Sequence, residues 1–313
     1  MSIASEITDL QTNLTNAKSA VTAKGGTVGD TGLAGLALEI ATIPSGGTLD
    51  NYGSIKYLDS NDVEQTLTLA TEADYTELTL GINQIQNLTI NNVSVDRIKI
   101  TSVTIADGVQ YIPDNFCYNC SNLASATIPS SVHYIGGFVF YGCKIVNVSF
   151  SLDNIVSIGE SFMYGNNTFN SPISLPKVRE IGGSFLRGCN AFNSSLIIND
   201  DCEYIGNNFL RQCFSFAQPF SIPSGLKMLP SGIPNPNRYF MYDCKNFVGP
   251  LACNCPSTSL PLSTQANEML ATTDSSGPMY TTGITLTGTY ANDWKTALPD
   301  STSSPYRKLI VGS

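Results

Sequence analysis

Few side chains in this chain are placed where they could do chemistry, and most of those belong to one series. Tyr118, Tyr141, Tyr164, Arg187 and Arg211 recur at steps of 23, 23, 23 and 24 residues, and Tyr242 extends the series. Tyrosine and arginine supply broad flat contact area with hydrogen-bond donors at little entropic cost, so a stack of them can bind a sugar or a protein. The same stack can also be a self-stabilising ladder of ring stacking and cation–π contacts, and the spacing leaves both readings open. Nine cysteines suggest metal or redox chemistry at first sight, and Cys117 with Cys120 forms a Cys-x-x-Cys. There is no second such pair and no partnering histidine. Cys120, Cys143, Cys189, Cys213 and Cys244 follow the same period as the Tyr/Arg series, which makes them small apolar packing residues. Cys253 and Cys255, two apart, have no such explanation.

Catalysis finds little support. His133 is the only histidine, and no nucleophile or carboxylate is fixed beside it by spacing, so it reads as solvated. Asp200 and Asp201 are adjacent in a turn, whereas glycosidase acids must face each other across a cleft. No glycine-rich loop precedes a helix in a phosphate-binding pattern. The expectation is a non-enzymatic protein with no cofactor and no metal site.

What must position the Tyr/Arg series is a repeat of about two dozen residues over 98–248. Its anchors are Ile112, Ile135, Ile158, Ile181, Ile205 and Leu229. Four residues after the first five come Phe116, Val139, Phe162, Phe185 and Phe209; eight after come Cys120, Cys143, Asn166, Cys189 and Cys213. The sixth copy keeps Phe240 and Cys244 at the same mutual spacing behind an insertion holding Pro230, Pro234 and Pro236. Upstream, Ile105, Ile128, Phe150, Leu175, Ile198 and Ile222 form one apolar column, and Val109, Val132, Ile155, Val178, Cys202 and Leu226 another. Such periodicity marks a solenoid whose coils bury their apolar faces only against each other. Short β-branched runs closed by Pro, Gly and Asn read as brief parallel strands, roughly 4.8 Å apart from coil to coil. Just before the anchors, Tyr111, Tyr134, Ser157, Glu180, Tyr204 and Met228 make a column expected to face water; beside it run Gln110, His133, Val156, Arg179, Glu203 and Lys227.

The pattern Ile-Pro-x-x-Val-x-x-Ile-Gly-x-x-x-Phe-x-x-Cys, followed closely by Ile128 to Cys143, resembles the leucine-rich repeat of the BspA type. Asn166 at the cysteine column and the insertion in coil six depart from it. The resemblance implies a mainly β, parallel-stranded solenoid serving as a binding or display scaffold, as in bacterial surface adhesins, some protist surface proteins and proteins of bacteriophage particles.

Hydrophobic residues make up 42% of the chain and charged residues 13%, about half the usual share, so Ser, Thr, Asn and Gly must build much of the surface. A net charge of −9 argues against nucleic acid and anionic membranes as partners. No apolar run is long enough to span a bilayer, and the start of the chain lacks a secretory signal. Either the chain has been trimmed, or it reaches the outside on a particle assembled in the cytoplasm.

Residues 1–46 read as a helical oligomerisation or attachment segment. Ile3, Ile7, Leu10, Leu14, Ala17 and Val21 alternate steps of four and three, the seam of a coiled coil. After Lys24-Gly25-Gly26, Leu33, Leu36, Ile40 and Ile43 offer a second, shorter helix ended by Pro44. The segment from Ala23 to Gly46 resembles a module near the start of many tailed-phage structural proteins, which implies a virion component. Residues 47–97 read as a small β region and solenoid cap, with Leu78 to Val95 as one or two degenerate coils. Residues 249–313, where the period is lost, read as a C-terminal cap in which Trp294 and Tyr306 plug the open end. The ending from Tyr290 also resembles termini of phage surface proteins.

Taken together, the expected protein is a homo-oligomer, trimer favoured, seated on a virion through its N-terminus and binding a host-surface glycan or protein through the repeat face. The alternatives are a purely structural decoration or baseplate part and a bacterial BspA-like adhesin.

Overall fold

The computed structural model describes residues 49, 51–79, 87–227, 239–257, 269–298 and 300–312. The coiled-coil seam of residues 1–46, Met228, Leu229 and the proline insertion lie outside them.

The described chain opens with an antiparallel hairpin, β1 (Gly53–Leu58) and β2 (Glu64–Thr68), followed by a one-and-a-half-turn helix, α1 (Glu72–Glu77). Thr71 and Asp74 cap that helix reciprocally: the Asp74 N–H donates to Thr71 Oγ1 at 3.1 Å and the Thr71 N–H to Asp74 Oδ2 at 3.0 Å. Next come β3 (Asn87–Ile90) and β4 (Val93–Asp96), paired antiparallel. Degenerate parallel coils were the expectation here. Asn91 and Asn92 both take left-handed conformations, with φ of 47° and 61°, and such a two-residue turn folds the chain straight back on itself. Strand β5 (Ile100–Ile105) then pairs antiparallel with β1 on one side and begins the parallel stack on the other.

From there each coil contributes a strand to two files. The chain passes alternately through β6 (Tyr111–Ile112), β7 (Ser125–Ile128), β8 (Tyr134–Ile135), β9 (Asn147–Phe150), β10 (Ser157–Ile158), β11 (Ile173–Leu175), β12 (Glu180–Ile181), β13 (Leu196–Ile198), β14 (Tyr204–Ile205) and β15 (Phe220–Ile222). The even-numbered strands form one continuous parallel sheet, with Ile112, Ile135, Ile158, Ile181 and Ile205 in register. These anchors are at most 3% exposed, which makes them the spine of the core. The upstream column closes the strands of the other file, from Ile105 in β5 to Ile222 in β15.

Two core columns escape a reading based on the anchors alone. Five residues after each anchor come Cys117, Phe140, Met163, Leu186 and Leu210, all fully buried. Three residues after the cysteine column come Leu123, Phe169, Phe192, Phe216 and Phe247, also fully buried. The last four stack ring on ring at 5.7, 5.5 and 5.7 Å. The second coil slips by one residue here, burying Ile145 and leaving Val146 43% exposed.

At the corner after each anchor, backbone meets backbone between coils. Gly136, Gly159 and Gly182 donate to the carbonyls of Ile112, Ile135 and Ile158 at 2.7–2.8 Å. A Cβ on Gly159 would overlap the backbone of Gly136 and Gly137, so no larger residue fits where the coils approach this closely. Deeper in, the cysteine column bonds to the five-after column of the coil before. Cys143, Cys189, Cys213 and Cys244 donate their thiols to the carbonyls of Cys117, Met163, Leu186 and Leu210 at 3.0–3.2 Å. Asn166, the departure from the pattern, does the same work. Its Nδ2 donates to the Phe140 carbonyl at 2.7 Å and its Oδ1 accepts from the Ile145 N–H at 3.2 Å, with no exposure to solvent.

The stack does not end at Val248, which corrects the expectation of a cap over 249–313. Strands β16 (Leu251–Cys253), β17 (Ile284–Thr287) and β18 (Leu309–Val311) continue β15 in parallel register. Helices α2 (Pro278–Thr281) and α3 (Ala291–Ala297) lie in the connections. The coils grow from about two dozen residues to irregular lengths there, so the period disappears while the stacking persists. Trp294 on α3 is fully buried and donates its Nε1–H to the Cys255 carbonyl at 2.8 Å; Tyr306 is half-buried and packs against Tyr280. No helix among the described residues is long and apolar enough to cross a membrane.

The asparagine equivalence is testable by urea unfolding. Asn166→Ala strands a buried carbonyl and a buried N–H and should cost about 2–4 kcal/mol, whereas Asn166→Cys, which restores a thiol donor, should cost about half as much. Equal tolerance of Asn166→Leu and Asn166→Cys would show that the column needs volume and not a donor.

Candidate functional site

The Tyr/Arg series falls on one exposed edge of the corner, two residues past the phenylalanine column. Its alignment comes from the backbone. Asn119, Gly142, Gly165, Gly188 and Gln212 donate their N–H groups to the carbonyls of Tyr141, Tyr164, Arg187, Arg211 and Tyr242 in the following coil, at 2.8–2.9 Å. Gly142 and Gly165 take φ of 67° and 77°, the left-handed conformation that turns the chain back inward after each tyrosine.

The side chains then stack. Tyr118 and Tyr141 lie 4.8 Å apart with planes 13° from parallel, and Tyr141 and Tyr164 lie 4.6 Å apart at 4°. The Arg187 guanidinium sits 5.0 Å over the Tyr164 ring. Arg211 faces the other way along the file, 4.1 Å over Tyr239 and 5.6 Å over Tyr242, and donates to Asn208 Oδ1 at 3.1 Å. Tyr239 and Phe138, each one residue before the phenylalanine column, flank the strip and were not part of the sequence reading. Every member of the strip is half-buried. Burial and the neighbouring Tyr164 and Tyr118 hydroxyls push the Tyr141 phenol above its ordinary range.

The second file of interest differs from its expectation. Tyr111 is exposed, but Tyr134, Ser157 and Glu180 are only 5%, 8% and 9% exposed. With the anchor isoleucines turned into the core, alternation along a strand sends these residues out through the opposite face of the sheet. There they stack in register on neighbouring coils, each covering the next. Burial, and then the Glu203 carboxylate, raise the Glu180 carboxyl from 4.5 to about 7. Glu203 itself is held by Lys227 at 2.7 Å and Arg179 at 3.5 Å.

The remaining candidates separate cleanly. All nine cysteines are buried and none forms a disulfide; Cys117 and Cys120 occupy two different core columns. Burial pushes the Cys189, Cys202 and Cys253 thiols up to about 12, so none supplies a thiolate at neutral pH. No group of three His, Cys, Asp or Glu placed to hold a metal occurs among the described residues. His133 is half-buried, not solvated, and its Nδ1 has no hydrogen-bond partner among the described residues. Asp200 accepts from the Ser224 N–H at 3.0 Å, a bond between coils, while Asp201 is exposed beside it.

Two parallel files, inward isoleucines and one inter-coil corner per repeat define a mainly β, parallel-stranded leucine-rich-repeat solenoid. Residues 88–231 match, in 6 copies, the family described as BspA type Leucine rich repeat region. No curated protein sequence matches the chain. Among solved structures, a leucine-rich repeat protein of T. pallidum is similar at 21% identity over 50% of this chain and 76% of its own, with a TM-score of 0.38. A leucine-rich repeat protein from Bacteroides ovatus is similar at 16% identity over 76% of this chain, with a TM-score of 0.40. The chain spans 55% of that second protein's length.

The Glu180 environment makes stability depend on pH in a stated direction. Because the folded state keeps a proton that the unfolded chain releases above 4.5, this group's contribution is intact below 4.5 and is lost as pH rises through about 7. Glu180→Gln should leave the unfolding midpoint unchanged near pH 4 and raise stability at pH 8 by about 2–3 kcal/mol. An equal change at both pH values would show that the carboxyl is not the cause.

Proposed function

We propose that this solenoid is a non-enzymatic recognition scaffold that presents the Tyr118 to Tyr242 strip to a glycan or protein on a host-cell surface. The observation that carries the reading is the near-parallel stack of Tyr118, Tyr141 and Tyr164 continued by Arg187. The rings spend their faces on one another, and each stays only half-buried. A ligand lying along such a strip finds its contacts already ordered, which lowers the entropic cost of binding. Arg187 adds charge: it has no carboxylate partner among the described residues, and its Nε has no hydrogen-bond partner there. A ligand carrying carboxylates would use that charge.

The setting we propose is the surface of a bacteriophage particle, with residues 1–46 joining copies and attaching them to other virion proteins. Its support is the likeness of residues 23–46 to a module of tailed-phage structural proteins and the coiled-coil spacing of Ile3 to Val21. Several copies, three being favoured, would turn weak single-site contacts into avidity. A BspA-like surface adhesin is compatible with the same repeats. The stacking distance of 4.6 Å between Tyr141 and Tyr164 also favours a second reading, in which the strip only braces the coils and the protein binds other virion components.

Tyr141→Ala combined with Arg187→Ala should reduce binding to host cells or to a glycan array at least ten-fold in a protein that remains folded. A folded double variant that binds normally would leave only the bracing role. For the assembly, light scattering should give an oligomeric mass for the intact chain and a monomeric one without residues 1–46; a monomer in both removes that element of the proposal.

A further inference from the structure

The outward face of the even-numbered strands carries two polar side chains that the Tyr/Arg strip does not involve. Ser157 and Glu180 occupy equivalent positions on adjacent strands β10 and β12, and are 8% and 9% exposed. Neither side chain has a hydrogen-bond partner among the described residues. A nearly buried carboxyl without a partner is costly, and its neighbours explain why it goes unanswered. Tyr134 and, one strand further, Tyr204 bracket the pair in the same register. Arg179, next to Glu180 in the chain, turns to Glu203, which also holds Lys227. Both nearby cations are thereby engaged with one carboxylate, while Glu180 has none.

We propose that Ser157 and Glu180, bracketed by Tyr134 and Tyr204, form a second binding site that takes the protonated amine of a lysine side chain from a protein partner. A lysine side chain brings a single compact charge on a flexible stem, which suits a position as little exposed as this one. Glu180 supplies the counter-charge and the Ser157 hydroxyl accepts one of the three ammonium protons. A chain of net charge −9 attracts a basic partner in the first place.

The groups facing Glu180 determine its pH response. They are Ser157 and Tyr204, in register with it on β10 and β14, Cys202, and Glu203, whose own partners are Arg179 and Lys227. Burial and Glu203 hold the Glu180 proton to about 7. The amine, with a pKa near 10.4, stays charged throughout, so affinity should rise roughly ten-fold from pH 6 to pH 8 as Glu180 ionises.

The test is an NMR chemical-shift titration of the full chain with the peptide acetyl-Gly-Lys-Gly-amide. Saturable shifts at Ser157, Glu180 and Tyr204, stronger at pH 8 than at pH 6 and absent in Glu180→Gln, are the expected result. The Tyr141→Ala/Arg187→Ala variant should retain them, because this site does not rest on the strip. Equal shifts with norleucine replacing the peptide lysine, shifts that persist in Glu180→Gln, or no saturable shift would each overturn the proposal. Tighter binding of glucosamine than of the peptide would overturn the assignment to a protein partner.

Discussion

Consecutive coils of this protein lie one backbone hydrogen bond apart at the corner that follows each anchor isoleucine. That contact tolerates no side chain, so glycine follows the anchor in four successive coils from Gly136 to Gly206. Once the corner is set, every position in one coil rests on its counterpart in the next. The stacked phenylalanines, the thiol-to-carbonyl bonds and the Tyr/Arg strip all follow from this single approach distance. None of them requires a contact distant in sequence by more than a coil or so, which is why such a body can be assembled from nearest-neighbour terms.

The same rule explains the cysteines. A thiol is small enough for the inside of the corner, apolar enough to be buried there, and still a donor to the carbonyl of the coil below. Asparagine meets the geometric and donor requirements at one coil, where Asn166 also gains the Ile145 N–H as a partner. Cys117 and Cys120 therefore sit three apart because two columns are three apart, and their spacing carries no redox meaning. Burial holds the Cys143, Cys189, Cys213 and Cys244 thiols above their usual range, which keeps them inert.

The outward face at Glu180 is a place where local agreement across levels is broken. On the corner Asn166 answers to backbone groups of the neighbouring coil, whereas Ser157 and Glu180 share a nearly buried position with no hydrogen-bond partner among the described residues. Sequences that fold reliably keep such conflicts for sites that use them. The strip follows the corner, whereas this position belongs to the strands β10 and β12 that precede it.

Much of the fold was legible because a solenoid converts sequence period directly into spatial files. The anchors, the upstream columns and the strip could be assigned by counting, and the five anchor isoleucines from Ile112 to Ile205 lie in register from coil to coil. The columns of Phe140, Met163 and Leu186 and of Phe169, Phe192 and Phe216 were equally periodic, and would have appeared had the count been extended past the cysteines. Other features had no periodic signature. The reversal at Asn91-Asn92 is a local choice of backbone conformation, and the strands β16, β17 and β18 stack through coils of unequal length. The sequence by itself determined the repeat, its inward residues and the alignment of tyrosines with arginines, since these depend only on spacing. Tertiary structure alone decided that Arg211 turns to Tyr239, that Arg179 turns to Glu203, and that Glu180 is covered and left without a counter-ion. Burial and charge pairing depend on what neighbouring coils bring to the same point in space, and no single coil's sequence contains that information.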